Sequence, residues 1–151
     1  MFYRLFDDRA DAGRRLAAEL AHVPLNNPIV LGLPRGGVPV AFEVATALSA
    51  PLDIVVVRKL GAPFQPELAL GAIASGGVRV MNEEDTAGMF GVDPEVVDEI
   101  AARELAELER RESLYRGNRP APDLEQRDVI LIDDGLATGA SMRAAAQAVR
   151  A

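Results

Sequence analysis

Cysteine is absent from this 151-residue chain, and histidine occurs once, as His22. The first absence excludes disulfides and thiolate metal sites. The second excludes a metal centre built from several histidines. No apolar run approaches the length needed to span a bilayer. Arg4, Asp7, Asp8 and Arg9 interrupt any charged-then-apolar leader at the N-terminus. No membrane is therefore expected, and the simplest location is cytoplasmic. Cations are also scarce, with 16 Lys and Arg against 23 Asp and Glu and a net charge of −7. That balance argues against a broad nucleic-acid face, and no nucleic-acid partner is expected. An anionic ligand would need a local concentration of Arg, Lys and backbone donors. Repeats, low-complexity tracts and interdomain linkers are missing too. The chain is 49% hydrophobic and 26% charged, which suits one soluble globular domain over residues 1–151 with a real core.

Against that background one stretch stands out. Val129-Ile130-Leu131-Ile132 is apolar and mostly β-branched, and reads as a strand buried on both faces. Asp133 and Asp134 follow at its carboxyl end. Gly135-Leu136-Ala137-Thr138-Gly139 comes next, and Ala140-Ser141-Met142 opens an Ala-rich segment of helical character. A strand, a tight Gly-containing loop and a helix N-terminus make an anion site, because free N–H groups and the helix dipole both favour negative charge. A phosphate would fit at Ala137, Thr138, Gly139, Ala140 and Ser141, with hydroxyl donors from Thr138 and Ser141. The two acids would repel a bare phosphate. They suit one that hangs from a sugar, by accepting from ribose hydroxyls or by holding a divalent cation through oxygen and water. Together these groups describe a site for a ribose 5-phosphate unit. The plainer alternative is a buried strand ending in an ordinary Asp-Asp-Gly turn. No Lys follows Gly139, so this is not a Walker A loop.

The rest of the chain alternates strands and helices. An amphipathic helix begins near Asp7 and Asp8, with an acid as its candidate cap, and runs toward Leu20. Arg14 and Arg15 on it suit a solvated face or could reach a ligand. His22 near its end suits the terminal carbonyls. Pro28 to Leu33 reads as the first buried strand, followed by Pro34-Arg35-Gly36-Gly37-Val38-Pro39 and a helix over Val40 to Leu48. Arg35 is placed to meet an anion, and Gly36 and Gly37 allow close backbone approach. The alternative there is a simple turn with an exposed Arg. Leu52 to Val57 reads as a strand ending in Arg58-Lys59, cations beyond a parallel strand's carboxyl end, where α/β folds bind ligands. Those two could instead merely end a strand at the surface. Leu60 to Glu67 reads as an irregular loop. Leu68 to Ala74 and Val78 to Met81 form a hairpin around Ser75-Gly76-Gly77. After a short helical piece within Asn82 to Gly91, Asp93 and Pro94 introduce a long helix, Glu95 to Arg116. Its apolar positions include Val96, Val97, Ile100, Ala101, Leu105, Leu108 and Leu114. Glu107 is spaced to pair with Arg110 or Arg111, and Gly117 ends the helix. The fold class expected is α/β: a doubly wound, mainly parallel sheet flanked by helices, with a small antiparallel hairpin. Arg35, Arg58, Lys59, Asp133 and Asp134 are expected to follow strand ends on one rim.

The 129–142 stretch resembles the phosphoribosyl pyrophosphate (PRPP) signature of type I phosphoribosyltransferases: an apolar strand, two acids, a short spacer, then Thr-Gly and a hydroxyl residue. Asp-Asp-Gly-x-x-Thr-Gly should arise by chance in roughly one in ten thousand chains of this length, so the likeness is specific. It extends over essentially the whole chain. The 34–39 loop is similar to the family's pyrophosphate loop, which implies a cis non-proline peptide there, at Arg35–Gly36. The resemblance also implies a segment after Lys59 that closes over the reaction and supplies cations. Here that segment carries no further Lys or Arg. Members of the family usually continue further at the C-terminal end, so strands beyond Ala151 are expected to be lacking.

The implied activity is a Mg²⁺-dependent phosphoribosyltransferase that moves ribose 5-phosphate from PRPP to a small nitrogen-containing acceptor and releases pyrophosphate. By the same resemblance, Asp133 and Asp134 hold the ribose hydroxyls and, through water, the metal. Lys59 serves the leaving group, with Arg35, Arg58, Gly36 and Gly37 around the pyrophosphate. The second function class consistent with the sequence is a non-catalytic PRPP- or nucleotide-binding regulatory module, suggested by the cation-poor segment after Lys59. A homodimer is the expected assembly. The acceptor is not readable from these residues.

Overall fold

The computed structural model describes residues 8–82, 86–135 and 140–150. These fall into two compact units: residues 8–55 with 119–135, and residues 56–118 with 140–150.

The first unit is built on a three-stranded parallel sheet in the order β2-β1-β6. Its strands are β1 (Ile29–Gly32), β2 (Leu52–Ile54) and β6 (Val129–Ile132). β1 is central and buried along its whole length, as its unbroken apolar run requires. The register with β6 runs from Ile29 opposite Val129 to Gly32 opposite Ile132. Polar ties fix where that pairing starts: the Asn26 amide donates to Asp128 Oδ2, and the Ile29 amide to the Asp128 carbonyl.

Helices α1 (Arg9–Leu20) and α2 (Gly37–Leu48) belong to this unit. Asp8 caps α1 by accepting the Asp11 amide at 2.8 Å, the role an acid is suited to before a first turn. α2 starts three residues before the expected Val40, and Pro39 falls in its first turn, where a missing N–H costs nothing. Its buried Val40, Ala41, Val44 and Ala45 recur at helical spacing. With Ala17, Val30 and Ile132 they form the core. α1 crosses α2 at Gly13, where a Cβ would lie 2.6 Å from Glu43 Cβ and 2.8 Å from the Val40 carbonyl oxygen.

The second unit holds an antiparallel sheet, β3 (Val57–Gly61), β4 (Ala69–Ala74) and β5 (Val78–Met81), in that order. The expected hairpin is β4–β5, and it gains β3 as a third strand. This corrects the reading of Leu52 to Val57 as one strand. The parallel strand stops at Ile54, and Arg58 and Lys59 lie inside β3 rather than beyond a parallel strand's end. Val55 and Val56 are buried and carry no Gly, Pro or polar punctuation, so the apolar run conceals the break. Two helices, α4 (Pro94–Arg116) and α5 (Ala140–Arg150), pack on this sheet, and a single turn, α3 (Thr86–Met89), precedes α4. α4 buries Val97, Ile100, Ala101 and Leu108. Leu114, expected on the same face, is 71% exposed in the last turn. Glu107 pairs with both Arg110 and Arg111, at 2.6 and 3.1 Å. Their guanidinium hydrogen bonds lower its carboxyl pKa to about 2.

The Gly13 crossing yields a prediction. Gly13→Val gains a few tenths of a kcal/mol of helix propensity, but the nearest obstacles include backbone, so overpacking at about 1–3 kcal/mol wins. Urea unfolding of the variant should show that loss.

Candidate functional site

β1 and β6 run parallel and in register, so the loops that leave them emerge on one edge of the sheet. The Leu33 amide continues the pairing by donating to the Ile132 carbonyl at 2.8 Å. The chain then turns through Pro34 to Gly37, and the Gly37 amide closes the turn on the Leu33 carbonyl at 3.0 Å. A cis non-proline peptide is present in this loop, at Pro34–Arg35 and not at the expected Arg35–Gly36.

The two loops touch through their glycines. A Cβ on Gly36 would collide with the Asp134 carboxylate. A Cβ on Gly37 would meet the Ile132 carbonyl oxygen at 2.6 Å and Asp133 Cα at 3.0 Å. Only glycine lets the Arg35 loop lie this close to the acid pair. Arg35 flanks these two glycines in the sequence and is exposed.

The two acids differ. Asp133 is partly buried and turns Oδ1 back onto the Asp134 amide at 2.8 Å. Burial raises its carboxyl pKa, and the neighbouring carboxylate adds to the rise. Asp134 is more exposed and accepts from Arg9 Nη2 at 2.9 Å through Oδ2. That guanidinium lowers its pKa. The two adjacent acids are thus shifted in opposite directions, which makes Asp134 the stronger acid of the pair.

Sequence reasoning missed Arg9. One signal was available: a cation at the first position of a helix works against the dipole, so its placement had to serve something else. Arg14 and Arg15 both face Asp11, at 4.0 and 3.1 Å, with side chains 60% and 58% exposed, as a solvated face requires.

In the second unit the adjacent cations Arg58 and Lys59 point to different work. Arg58 pairs with Glu104 of α4 at 2.9 Å, with both side chains largely buried. Lys59 is exposed, its Nζ donating to the Glu67 carbonyl at 3.3 Å. It lines a cavity of about 460 Å³ together with Asn82, Ser141, Arg143 and Gln147, over a floor that includes Met81. No acid is among the described lining residues, so in a chain of net charge −7 this hollow favours anions. The cavity thus brings together Lys59 and Ser141. Ala140 begins α5, while Ala137, Thr138 and Gly139 lie outside the described residues. Among the described residues, no group of three or more His, Cys, Asp or Glu could hold a metal ion. No described helix is long and apolar enough to cross a membrane.

Comparison with known proteins converges on one family. A family model described as "Phosphoribosyl transferase domain" matches residues 4–151. Two proteins of Mycobacterium tuberculosis, from strains CDC 1551 and H37Rv, each named "Putative phosphoribosyl transferase", are 53% identical over 148 residues, covering 98% of this chain. The chain spans 33% of their length, about a third. The crystal structure of TT1426 from Thermus thermophilus superposes with a TM-score of 0.81 at 48% identity, covering 96% of this chain and 68% of that one.

Two outcomes are expected. Carbon-detected NMR of the carboxyl groups should show Asp133 protonating before Asp134 on acidification, with Arg9→Met moving the Asp134 step upward. The lowered Asp134 pKa contributes stability above the ordinary carboxylate range that is lost as pH falls through its folded pKa. The raised Asp133 pKa has the opposite sign, with a contribution complete below its unfolded pKa and lost as pH rises through the folded one. The second outcome separates the cations. Arg58→Ala should cost about 1.5–3 kcal/mol in urea unfolding, as loss of a charged hydrogen bond does, whereas Lys59→Ala should stay within about 0.5 kcal/mol.

Proposed function

Because the chain belongs to the phosphoribosyl transferase family, we propose that it moves ribose 5-phosphate from PRPP to a small nitrogen-containing acceptor and releases pyrophosphate. The observation that carries this reading is the meeting of the Arg35 loop with Asp133 and Asp134 through Gly36 and Gly37. Loops more than ninety residues apart in sequence present a cation, closely packed glycine backbone and two carboxylates at one sheet edge, at the carboxyl ends of parallel strands, where α/β folds bind ligands.

The chemistry follows from the charges. As the bond from ribosyl C1 to the pyrophosphate oxygen lengthens, C1 becomes cationic and the leaving group gains negative charge. Asp134, held ionised, accepts from a ribose hydroxyl and faces the developing positive charge. Asp133 offers a second carboxylate contact to the sugar. Arg35 meets the pyrophosphate. Lys59 is assigned to the leaving group on its chemistry, as an exposed point charge in a hollow with no acid among its described lining residues. Ser141 lines the same hollow and supplies a hydroxyl donor for a phosphate.

Mg²⁺ fits the donor chemistry of the acid pair. Asp133 commits Oδ1 to an amide and Asp134 commits Oδ2 to Arg9, and each carboxylate has a second oxygen. Mg²⁺ usually takes only one or two carboxylates and completes its shell with water and substrate phosphates. When bound it supplies neutralising charge to the pyrophosphate. Cytoplasmic location and a homodimeric assembly complete the proposal.

One observation favours a second reading, a PRPP-binding regulatory module with little turnover. The segment from Leu60 to Glu67 carries no Lys or Arg, and short turn hydrogen bonds hold it, Ala62 to Leu68 and Leu68 to Gln65, both at 2.9 Å.

The test is calorimetry with PRPP and Mg²⁺. The chain should bind, and Asp133→Asn with Asp134→Asn should weaken binding by about 10- to 100-fold, as loss of charged hydrogen bonds does. Undiminished affinity in the double variant would overturn the assignment of the acids. Pyrophosphate release across a panel of nitrogen bases then separates transferase from binding module.

A further inference from the structure

The proposed function leaves Arg9 without a task. It opens α1, reaches 125 residues along the sequence to Asp134 Oδ2, and closes at 2.9 Å. Its position is costly, since a cation in the first turn of a helix opposes the dipole. The contact is also placed with care. The Asp134 carboxylate lies directly against Gly36, where a Cβ would overlap it, so one side of this acid is closed by backbone. Arg9 takes an oxygen on what remains. Its own helix is held against α2 at Gly13, one turn further along the same face. The anchor is therefore rigid while the Arg9 side chain, 59% exposed, stays free to leave.

We propose that Arg9 is a specificity-determining residue of the acid pair: its guanidinium takes the cation position at Asp134, keeps a lone divalent ion out of the empty site, and gives way only when a sugar phosphate arrives with its own charge-balancing groups. This rests on the sugar-phosphate reading given above. The strength of the contact suits that task. An ion pair this exposed is weak, so a multidentate ligand can displace it. A free divalent ion faces both the loss of that pair and repulsion from the guanidinium itself. It has only two protein carboxylates to offset them, since no larger acid cluster is present among the described residues.

The test is titration of Mn²⁺, without any nucleotide or sugar, into four forms of the full chain: wild type, Arg9→Met, Arg9→Lys, and Arg9→Met with Asp134→Asn. Water-proton relaxation and calorimetry report the affinity, and circular dichroism reports folding. Arg9→Met should bind Mn²⁺ about five- to tenfold tighter than wild type, from the lost pair and the lost repulsion together. Arg9→Lys, which keeps the charge, should stay near wild type. Adding Asp134→Asn should abolish the gain. A gain below threefold in Arg9→Met, or one that survives Asp134→Asn, overturns the proposal. The same samples are then titrated with PRPP at saturating Mn²⁺. Failure of wild type and Arg9→Met alike to bind PRPP would overturn the proposed function and leave the Mn²⁺ comparison standing on its own.

Discussion

The site of the first unit depends on one backbone constraint, the parallel register of β1 against β6. With Gly32 opposite Ile132, two loops that are remote in sequence leave the sheet side by side. The residues after Ile132 are acids, and those after Leu33 include a cation and two glycines. A register slip of one residue would exchange faces along the strand and separate Asp134 from Gly36. The register is itself held by polar ties at its start, from Asn26 and Asp128. It is held at its end by the Leu33 amide on Ile132. Neither tie involves the side chains of Arg35, Asp133 or Asp134, yet both decide whether the two loops meet.

Much of this was legible in the sequence because apolar runs and glycines announce themselves. The β1 and β6 runs, the loop glycines at Gly36 and Gly37, the Asp8 cap, the Pro94 start and Gly117 end of α4, and the Glu107 pairs all follow from local rules. Long-range geometry was less legible. The break between β2 and β3 is invisible because Val55 and Val56 continue the apolar pattern across it. Arg58 and Lys59 therefore looked like a strand-end pair when they are neighbours within β3, one turned to Glu104 and the other lining a hollow. Strand alternation sends adjacent side chains to opposite faces, so the dipeptide could not act as one double charge. Arg9 was hidden for a different reason: its partner lies at the far end of the chain, and spacing rules have no reach over that distance.

The two acids show how neighbouring identical side chains come to differ. Asp133 is drawn inward and onto an amide, while Asp134 stays outward against a guanidinium. The dipeptide offers no preference between them. The difference arises from which side chain follows the strand into the protein and which follows the turn out of it. Two identical side chains thereby come to differ in acidity within a few ångströms.

Gly13 carries no chemistry, yet it sets how deeply α1 beds into α2, and with that the perch from which Arg9 extends. Widening that crossing would tilt or lift the first turn and pull the guanidinium off its carboxylate. A purely steric change at the helix crossing would then register at the rim as an altered charge, four residues along the helix from where it was made.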